Sequence, residues 1–454
     1  MRIEFLLEYC AKYVRINRKN PKEQGVKDMK FAFFTLGCKV NLFETQALEQ
    51  LAASRGHEIA ARDADAVIIN TCTVTSVSDH KNIRAFHKLR RDNPHAVIAA
   101  CGCFAQTDPD RVRSTGEIDL ICGTSDRAQT IKLCEDAVQG KNVTAAVRQP
   151  EEYEYLPAGI PHGRTRGLLK IEDGCNNFCT YCIIPYARGR VRSLPPVQVL
   201  EETARMAAAD VHEIVLTGIE IASYGQDLTP QCSLTDLLCR LLPAFPAIRF
   251  RLGSLDPRLI NDAFCARLRC YNNLAPHFHL SLQSGSNTVL QRMGRKYTAA
   301  QYLYNVNLLR KAFPDCSLTT DLIVGFPGET EQEFAETLDF LRQCAFSSVH
   351  VFPYSVREGT RAAAMPDQCS GAVKTARAER AKQTATELRT KYLQRFIGCI
   401  LHDVLPEHQS NGRWAAHGRY GFPIYIASDT ARKNQPVTIR ITDLYRDGVE
   451  AEII

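Results

Sequence analysis

The chain has 454 residues, which is too many for one ordinary hydrophobic core, so two to four domains of roughly 100 to 200 residues are expected. Its 45% hydrophobic and 23% charged residues are typical of a soluble globular protein, and the net charge of +6 is modest. No apolar run is long enough to cross a bilayer, and the opening MRIEFLLEYC carries Arg2, Glu4 and Glu8 where a secretory signal would be apolar, so no such signal is expected. A cytoplasmic location is therefore expected, where the 18 cysteines serve as metal ligands or buried thiols and not as a disulfide framework.

The beginning of the chain differs in composition from the rest. Residues 1–28 contain the polar, turn-rich RINRKNPKEQGVKD, and we expect them to be a mobile extension preceding an alternative start at Met29. From Lys30 to about residue 140, short apolar runs at 31–37, 66–72, 96–102 and 118–123 alternate with amphipathic helical patterns. This alternation predicts an α/β domain with a mostly parallel sheet, whose ligands gather beyond the carboxyl ends of the strands.

Three cysteines fall at or just after the ends of these runs, namely Cys38, Cys72 and Cys103. The fold would bring them together, and three thiolates can hold a cubane iron–sulfur cluster that leaves one iron without a protein ligand. Cys101 competes with Cys103, because residues two apart on a strand point to the same face, and we favour Cys103 because it lies past the strand end. Cys122 is a lesser competitor, and buried apolar thiols are the alternative interpretation for all of them.

A second, compact triad follows a predicted linker. Residues 141–160 mix Pro, Gly and charge without a sustained period, which is typical of a linker. Cys175, Cys179 and Cys182 then form a C-x3-C-x2-C loop directly after the strand-like LLKIEDG. Such a loop can wrap three corners of a cubane and leave the fourth iron free to chelate S-adenosylmethionine. A zinc site is the alternative, but zinc normally needs a fourth ligand at short spacing, and no second CxxC or HxxxH pair lies nearby.

The middle of the chain, residues 161–392, alternates strand-like and helical stretches. The strand-like runs are EIVLTG, IRFRLGS, FHLSLQ, SLTTDLIVGF and SVHVFPYS, which predict a complete or partial (β/α) barrel with its chemistry at the carboxyl ends of the strands. The segment GFPGET lacks the lysine and hydroxyl of a phosphate-binding loop, so a tight strand-to-helix turn is the better interpretation.

Residues 395–454 contain short alternating strands, which predict a small five-stranded β-barrel. Candidate stacking and phosphate contacts with an RNA loop are Trp414, His417, Arg419, Tyr420 and Tyr425. This segment has seven basic and seven acidic residues, so RNA binding is also expected to use Arg188, Arg190 and Arg192 and the basic stretch 371–395. The alternative for that stretch is a solvated helix face.

Together these segments resemble the radical-SAM methylthiotransferase family over essentially all of residues 29–454. The resemblance is carried by TLGCKVNLFET, NTCTVT, GCFAQ, GCNNFCTYCIIPYARGRVRS, LTGIEIASYG, RLGSLDP, HLSLQSGSNTVLQRMGRKYT, DLIVGFPGETEQEF and HVFPYSVREGTRA. Within the family, TLGCKVN points to the MtaB type, the tRNA enzymes that act on N6-threonylcarbamoyladenosine.

The resemblance implies an α/β multidomain protein: a methylthiotransferase domain at 29–140, a radical-SAM partial barrel at 161–392 and an RNA-binding TRAM β-barrel at 395–454. It implies two [4Fe-4S] clusters and S-adenosylmethionine as cofactors. The expected S-adenosylmethionine contacts are Tyr181, Thr217, Gly218, Glu220, Ser254, Gln283, Ile323 and Gly325.

The reaction implied by the resemblance is methylthiolation of carbon 2 of the modified adenosine on the 3′ side of the tRNA anticodon. The compact triad's cluster would produce the 5′-deoxyadenosyl radical, and the dispersed triad's cluster would hold the sulfur. Besides tRNA, an external reductant and a sulfur donor are implied partners. The alternatives are an isopentenyladenosine in tRNA, an aspartate of a ribosomal protein, or a non-catalytic iron–sulfur sensor that binds RNA.

Overall fold

A computed structural model describes residues 28–159 and 165–454. The extension expected at 1–28 lies outside the described residues except for Asp28. The described chain has the predicted α/β multidomain architecture: a parallel α/β domain, a larger (β/α) partial barrel and a small closed β-barrel at the carboxyl end. In these two ranges no helix combines the length and the apolar composition needed to span a bilayer.

The amino-terminal domain is a five-stranded parallel sheet in the order β2-β1-β3-β4-β5. Its strands are β1 Lys30–Thr35, β2 Glu58–Ile59, β3 Ala66–Thr71, β4 Val97–Gly102 and β5 Leu120–Gly123. Its helices are α1 Lys39–Ser54, α2 Ser76–Asp92, α3 Cys103–Thr107, α4 Pro109–Ser114 and α5 Arg127–Val138. The central strand β3 is buried along its whole length because helices cover both faces of the sheet, as its uninterrupted apolar run predicts.

The segment predicted to be a linker, 141–159 in the described chain, has no helix or strand but is packed against the barrel. Leu156 and Ala158 are buried in the barrel core, and the hydroxyl of Tyr153 donates a 2.5 Å hydrogen bond to the carbonyl of Lys170. The segment predicted to be a linker is therefore irregular in the described residues, and it is packed against the barrel core.

The middle domain is an open barrel of parallel strands. The strands are β6 Arg166–Lys170, β9 Glu213–Thr217, β10 Arg249–Leu252, β11 Ser254–Leu255, β12 His277–Leu280, β13 Ser317–Val324 and β14 Ser348–Pro353, with β7 Glu172–Asp173 and β8 Arg192–Ser193 as a separate antiparallel pair. They form the sheets β10-β9-β6 and β11-β12-β13-β14. Only Gly253 separates β10 from β11, and a bridge between Phe250 and Leu274 continues the pairing, so the two sheets form one curved wall.

Helices and short 3-10 turns surround this wall. The helices are α6 Ile184–Arg188, α7 Pro196–Ala208, α8 Leu234–Ala244, α9 Asp262–Leu268, α10 Asn287–Arg292, α11 Ala299–Ala312, α12 Glu331–Cys344 and α13 Gly371–Gln394, and the turns are Ile221–Ser223, Pro257–Leu259 and Arg361–Ala364. Capping boxes that start at Ser233, Thr298 and Thr330 fix the first turns of α8, α11 and α12. Thr330 ends the GFPGET segment, which is the strand-to-helix turn that the sequence predicts.

The carboxyl-terminal domain is a closed five-stranded barrel in the order β15-β16-β17-β19-β18, as predicted. Its strands are β15 Ile400–Ser410, β16 Arg413–His417, β17 Pro423–Ile426, β18 Val437–Tyr445 and β19 Gly448–Ile453. The basic helix α13 leads into it: Tyr392 and Leu393 are buried in the core of this small barrel. Earlier in α13, Arg377 is buried and pairs with Glu329 at 2.9 Å, so part of the predicted phosphate-facing surface is instead an internal contact.

Candidate iron–sulfur and substrate site

The dispersed cysteines Cys38, Cys72 and Cys103 meet at one edge of the amino-terminal sheet. Each follows a strand of the parallel sheet, so the three residues converge where these strands end. The backbone at Gly37 passes so close to Cys72 that an added Cβ would lie 3.1 Å from its Sγ atom. Burial raises the pKa of the Cys103 thiol to about 12, and its neighbours Cys72 and Cys38 add to that rise. Ligation by a metal is what would deprotonate such thiols.

The structure separates Cys103 from Cys101 at Gly102. This glycine adopts φ +92°, and an added Cβ would lie 2.5 Å from the carbonyl oxygen of Thr71, so the sharp turn requires glycine. Cys103 thereby becomes the first residue of α3, whereas Cys101 stays in the apolar core together with Cys122. The expectation that residues two apart share a face fails here because the strand ends between them.

The compact triad lies on a loop that hydrogen bonds hold at several points. The amide of Cys175 donates to the carbonyl of Gly189. The amide of Thr180 donates to the carbonyl of Met293, and the carbonyl of Thr180 accepts from the amide of Ala362. Phe178 has φ +49°, a left-handed conformation that curls the loop between Cys175 and Cys179. A guanidinium NH of Arg295 donates to the Sγ atom of Cys179 at 3.4 Å.

The spacing of the thiols in both triads favours a cluster over a single metal ion. One zinc ion with Zn–S bonds of about 2.3 Å would hold its sulfur ligands within about 4 Å of one another. Among the described residues, only His279, Asp321 and His350 bring three ligand atoms to within 4.8 Å. In neither cysteine triad, therefore, do all three sulfur atoms lie within 4.8 Å of one another, and this arrangement leaves room for a cubane.

A buried charged network joins the two triads. Glu44 of α1 is fully buried and pairs with Arg188 at 2.5 Å, Arg127 at 3.1 Å and Lys170 at 3.2 Å. Burial alone would raise the pKa of Glu44, but these three cations outweigh it and lower the pKa to about 2. Asp173, two residues before Cys175, pairs with Lys170 and Arg188 in the same network.

Arg188 and Arg192 were predicted to contact RNA, and the structure contradicts both predictions. Arg188 is fully buried in the network, and Arg192 is 5% exposed, with its Nη1 donating to the carbonyls of Arg188 and Arg190 at 2.8 and 2.7 Å. Neither guanidinium reaches the surface, because each is already bonded to buried carboxylate or carbonyl groups. Arg190 is exposed, with its guanidinium 4.7 Å from the ring centroid of Phe178.

One cavity of about 510 Å³ touches all three domains. Cys38, Lys39 and Val40 contribute from the start of α1, and Gly421, Phe422 and Asp447 contribute from the small barrel. The rest of its lining comes from the partial barrel: Thr217, Gly218, Leu252, Gly253, Ser254, His277, His279, Ser317, Thr319, Asp321, Ser347, Ser348, His350 and Arg389. Its volume is in the range of known ligand sites, and it reaches the dispersed triad through Cys38.

The comparisons with known proteins agree with this architecture. Residues 169–341 match the model of the Radical SAM superfamily, and residues 30–123 match the Uncharacterized protein family UPF0004. The threonylcarbamoyladenosine tRNA methylthiotransferase MtaB of Bacillus subtilis is 41% identical over 384 residues, covering 83% of this chain and 84% of that protein. This chain belongs to the radical-SAM methylthiotransferase family. The resemblance read from the sequence motifs is thereby confirmed.

Other relatives have a different printed substrate. The tRNA-2-methylthio-N(6)-dimethylallyladenosine synthase of Geobacillus kaustophilus is 33% identical over 439 residues, covering 94% of this chain and 82% of that protein. Among solved structures, the radical S-adenosylmethionine methyltransferase TsrM of Kitasatospora setae superposes with a TM-score of 0.55 at 13% identity, covering 86% of this chain and 81% of that chain. That likeness shows the shared fold.

Family membership makes this chain a radical-SAM tRNA methylthiotransferase that uses S-adenosylmethionine and [4Fe-4S] clusters. Of the predicted S-adenosylmethionine contacts, Thr217, Gly218 and Ser254 line the 510 Å³ cavity. Tyr181 and Ile323 pack on the apolar cluster around Phe326, beside the compact triad.

The remaining predicted cofactor contacts lie in three different surroundings. Gln283 has φ +70°, and its backbone bonds to β13 at both Asp321 and Ile323. The amide of Gly325 donates to Glu329 at 2.7 Å. Glu220 lines a separate cavity of about 400 Å³ beside Asp256 and Arg258. These eight contacts stay predictions: three lie in the wall of the 510 Å³ cavity, two in an apolar cluster and one in a second cavity, while Gln283 and Gly325 lie in none of these places.

Sequence reasoning missed several polar residues of the cavity. Lys39, His279, Asp321, His350 and Arg389 all line it. A signal was available: in HFHL the two histidines alternate with apolar residues, so His277 and His279 share the face of β12 opposite to buried Phe278 and Leu280. Arg389 carried no such signal, because nothing in a long basic helix marks which residue points inward.

Proposed function

We propose that this chain methylthiolates carbon 2 of N6-threonylcarbamoyladenosine on the 3′ side of the tRNA anticodon. The observation that carries the proposal is the number of hydrogen-bonding and charged side chains in the wall of the 510 Å³ cavity. Its apolar side chains are Val40, Leu252 and Phe422, whereas most of the others are serine, threonine, histidine or charged residues. The threonylcarbamoyl group carries a hydroxyl and a carboxylate that suit this wall, whereas a dimethylallyl group offers no partner to the cationic side chains of Lys39 and Arg389.

Sequence similarity supports the same choice. Relatives named for threonylcarbamoyladenosine from Bacillus subtilis, Thermotoga maritima and Aquifex aeolicus are 41%, 36% and 34% identical to this chain. Relatives named for dimethylallyladenosine are 31% to 35% identical. The two ranges overlap, so isopentenyladenosine in tRNA is the second candidate.

The proposal gives the two triads separate tasks, as the family resemblance implies. Cys175, Cys179 and Cys182 would hold the cluster that works with S-adenosylmethionine, and Cys38, Cys72 and Cys103 would hold the second cluster. When bound, the first cluster and S-adenosylmethionine would supply the radical that abstracts hydrogen, and the second cluster would supply the sulfur that enters the product. The cavity wall orients the nucleoside beside Cys38, and the small barrel contributes Phe422 and Asp447 to one side of the cavity.

RNA contacts are proposed at the small barrel and beside the compact triad. The rings of Tyr420 and Phe422 stack at a centroid distance of 6.2 Å with an interplanar angle of 4°, and Phe422 lines the cavity. Arg419 lies 5.9 Å from the ring of Tyr420, and Trp414 is half-buried on β16. Together with exposed Arg190, these residues offer aromatic and cationic groups to an RNA loop that leads into the cavity.

The test is nucleoside mass spectrometry of tRNA incubated with the anaerobically reconstituted protein, S-adenosylmethionine and a low-potential reductant. The expected product is 2-methylthio-N6-threonylcarbamoyladenosine. Formation of 2-methylthio-isopentenyladenosine, with threonylcarbamoyladenosine left unmodified, would contradict the proposed substrate. A protein with Cys179→Ala is the control, because it lacks one ligand of the compact triad and should make neither product.

A further inference from the structure

Lys39 is an unpaired cation in the wall of the cavity. It directly follows Cys38 and is the first residue of α1. Its ammonium has no hydrogen bond or ion pair with any of the described residues, although it lines the same cavity as Cys38, Ser254 and His277. Most other cations close to the cavity are already neutralised: Arg251 pairs with Glu213 at 2.7 Å, for example. An unpaired cation in a polar cavity is a natural partner for an anionic group of a ligand.

Arg389 is the second cation of this wall. Its guanidinium bonds only to neutral oxygens, namely the carbonyl of Asp447 and the hydroxyl of Ser348 at 3.2 Å. Among the residues that the structure describes, Arg389 forms no direct ion pair, although the charge of Asp447 acts on it. Arg389 extends from α13 across the gap between the two barrels, where a substrate substituent can reach it.

The two carboxylates of the cavity wall already have partners. Asp321 contacts Nε2 of His279 at 3.3 Å, and the hydroxyl of Tyr425 donates to Asp447 at 2.7 Å. Both carboxylates therefore have a hydrogen-bonding partner, whereas the ammonium of Lys39 has none among the described residues. This asymmetry favours an anionic ligand group and disfavours an apolar one.

We infer that Lys39, assisted by Arg389, binds the carboxylate of the threonylcarbamoyl group and so selects this nucleoside over adenosines with uncharged N6 substituents. The inference rests on the proposed function and makes it more specific, because it names the residues that read the substituent. It also accounts for the position of Lys39 beside a cluster ligand: anchoring the substituent there places the adenine ring next to the dispersed triad.

A binding experiment with the reconstituted full-length protein tests the inference. Three synthetic anticodon stem-loop RNAs are compared by fluorescence anisotropy without reductant: one with threonylcarbamoyladenosine, one with its threonyl methyl ester and one with unmodified adenosine. Because a hydrogen-bonded ion pair is lost, the ester should bind the wild-type protein about ten-fold more weakly. Lys39→Gln should bind the natural RNA about ten-fold more weakly and no longer distinguish it from the ester.

A matched control separates this role from general attraction to RNA. Lys382→Gln removes the same charge from an exposed position of α13 that does not line the cavity, and it should keep the wild-type discrimination between acid and ester. Arg389→Gln should show a smaller loss of discrimination than Lys39→Gln. If Arg389→Gln loosens the contact with Asp447 and fails to fold, the Lys39 comparison still decides the question.

Two results would overturn the inference. Equal binding of acid and ester by the wild-type protein is one. The other is a Lys39→Gln protein that still distinguishes the acid RNA from the ester RNA. If that protein has also lost iron, measured by iron content and visible absorbance, the role of Lys39 is to support the neighbouring cluster. Failure of the proposed function looks different: the wild-type protein would methylthiolate isopentenyladenosine in place of threonylcarbamoyladenosine, whatever the binding ratios.

Discussion

Arg188 donates a hydrogen bond from Nε to the Sγ atom of Cys103 at 3.2 Å, although the two residues lie 85 positions apart. The other end of the same guanidinium bonds to Asn41 at 2.7 Å and to Glu44 at 2.5 Å. Arg188 ends the short helix that follows the compact triad, so its side chain extends from that helix to the dispersed triad. Arg295 makes the corresponding contact with Cys179, and each triad thus has one guanidinium at one sulfur.

Replacing Arg188 should change the properties of the dispersed triad's cluster. Positive hydrogen-bond donors to cysteine sulfur stabilise the more reduced state, so Arg188→Gln should lower the reduction potential of that cluster. Loss of one partner from a buried network should also cost about 3 to 5 kcal/mol of folding free energy. A redox titration in a background with Cys175, Cys179 and Cys182 changed to alanine isolates the relevant cluster.

Arg190→Gln is the control for this experiment, because Arg190 is exposed two residues away. It should leave both the potential and the stability unchanged. An Arg188→Gln protein with wild-type potential would show that the contact with Cys103 does not tune the cluster. Arg188→Lys keeps the charge near Glu44 but loses the forked guanidinium. The reduction potential of its cluster should therefore lie between those of the wild-type and Arg188→Gln proteins.

Iron analysis distinguishes Cys103 from Cys101 as a ligand. Cys103→Ala should remove one cluster, which is a loss of about four irons per chain after anaerobic reconstitution. Cys101→Ala should keep the full iron content, because Cys101 lies in the apolar core of the sheet. Full iron in Cys103→Ala together with a loss in Cys101→Ala would reverse the assignment.

Gly102→Ala should be strongly destabilising. The residue has φ +92°, and the new Cβ would lie 2.5 Å from the carbonyl oxygen and 2.7 Å from the amide nitrogen of Thr71. Strain and steric overlap together should cost about 2 to 4 kcal/mol, measured by urea unfolding with circular dichroism. Gly116→Ala is the matched control: Gly116 also has positive φ, at +70°, but open space surrounds it, so only about 1 kcal/mol should be lost. Equal losses would refute the steric argument.

The contact of the small barrel with the partial barrel should weaken in acid. Glu407 accepts hydrogen bonds from Thr165 at 2.7 Å and Arg166 at 2.9 Å. Burial would raise the pKa of Glu407, but His417 and Arg166 outweigh it and lower the pKa to about 2. Because the folded-state pKa lies below the unfolded value of 4.5, the stabilisation is present above that value and is lost as the pH falls towards 2.

Fluorescence of the single tryptophan, Trp414, reports unfolding of this barrel. Near pH 7, Glu407→Gln should lower the unfolding free energy by about 1 to 2 kcal/mol, a value reduced for partial exposure to solvent, and the difference should shrink near pH 3. Glu452→Gln removes an exposed glutamate of the same barrel and should show no such trend. A wild-type-to-Gln difference that stays constant with pH would contradict this linkage.

Much of the fold followed from short-range patterns. The apolar runs ending near Cys38, Cys72 and Cys103 correspond to β1, β3 and β4 within one or two residues, because helix and strand periods are local properties. The short strand-like runs separated by turns in the last 60 residues likewise predicted the five strands of the small barrel. The site was less predictable: Lys39, Asp321 and Arg389 converge on the cavity from three separate elements.

The sequence alone determined the fold class, the family and the compact triad, since these depend on spacing along the chain. Only the tertiary structure decided which arginines are buried, and that Cys101 lies in the apolar core whereas Cys103 begins a helix. Arg188 and Arg190 are alike in sequence. Arg188 is buried because it pairs with Glu44, which is distant in sequence, whereas Arg190 is exposed to solvent. Burial and charge pairing depend on which remote segments pack together, and no local pattern contains that information.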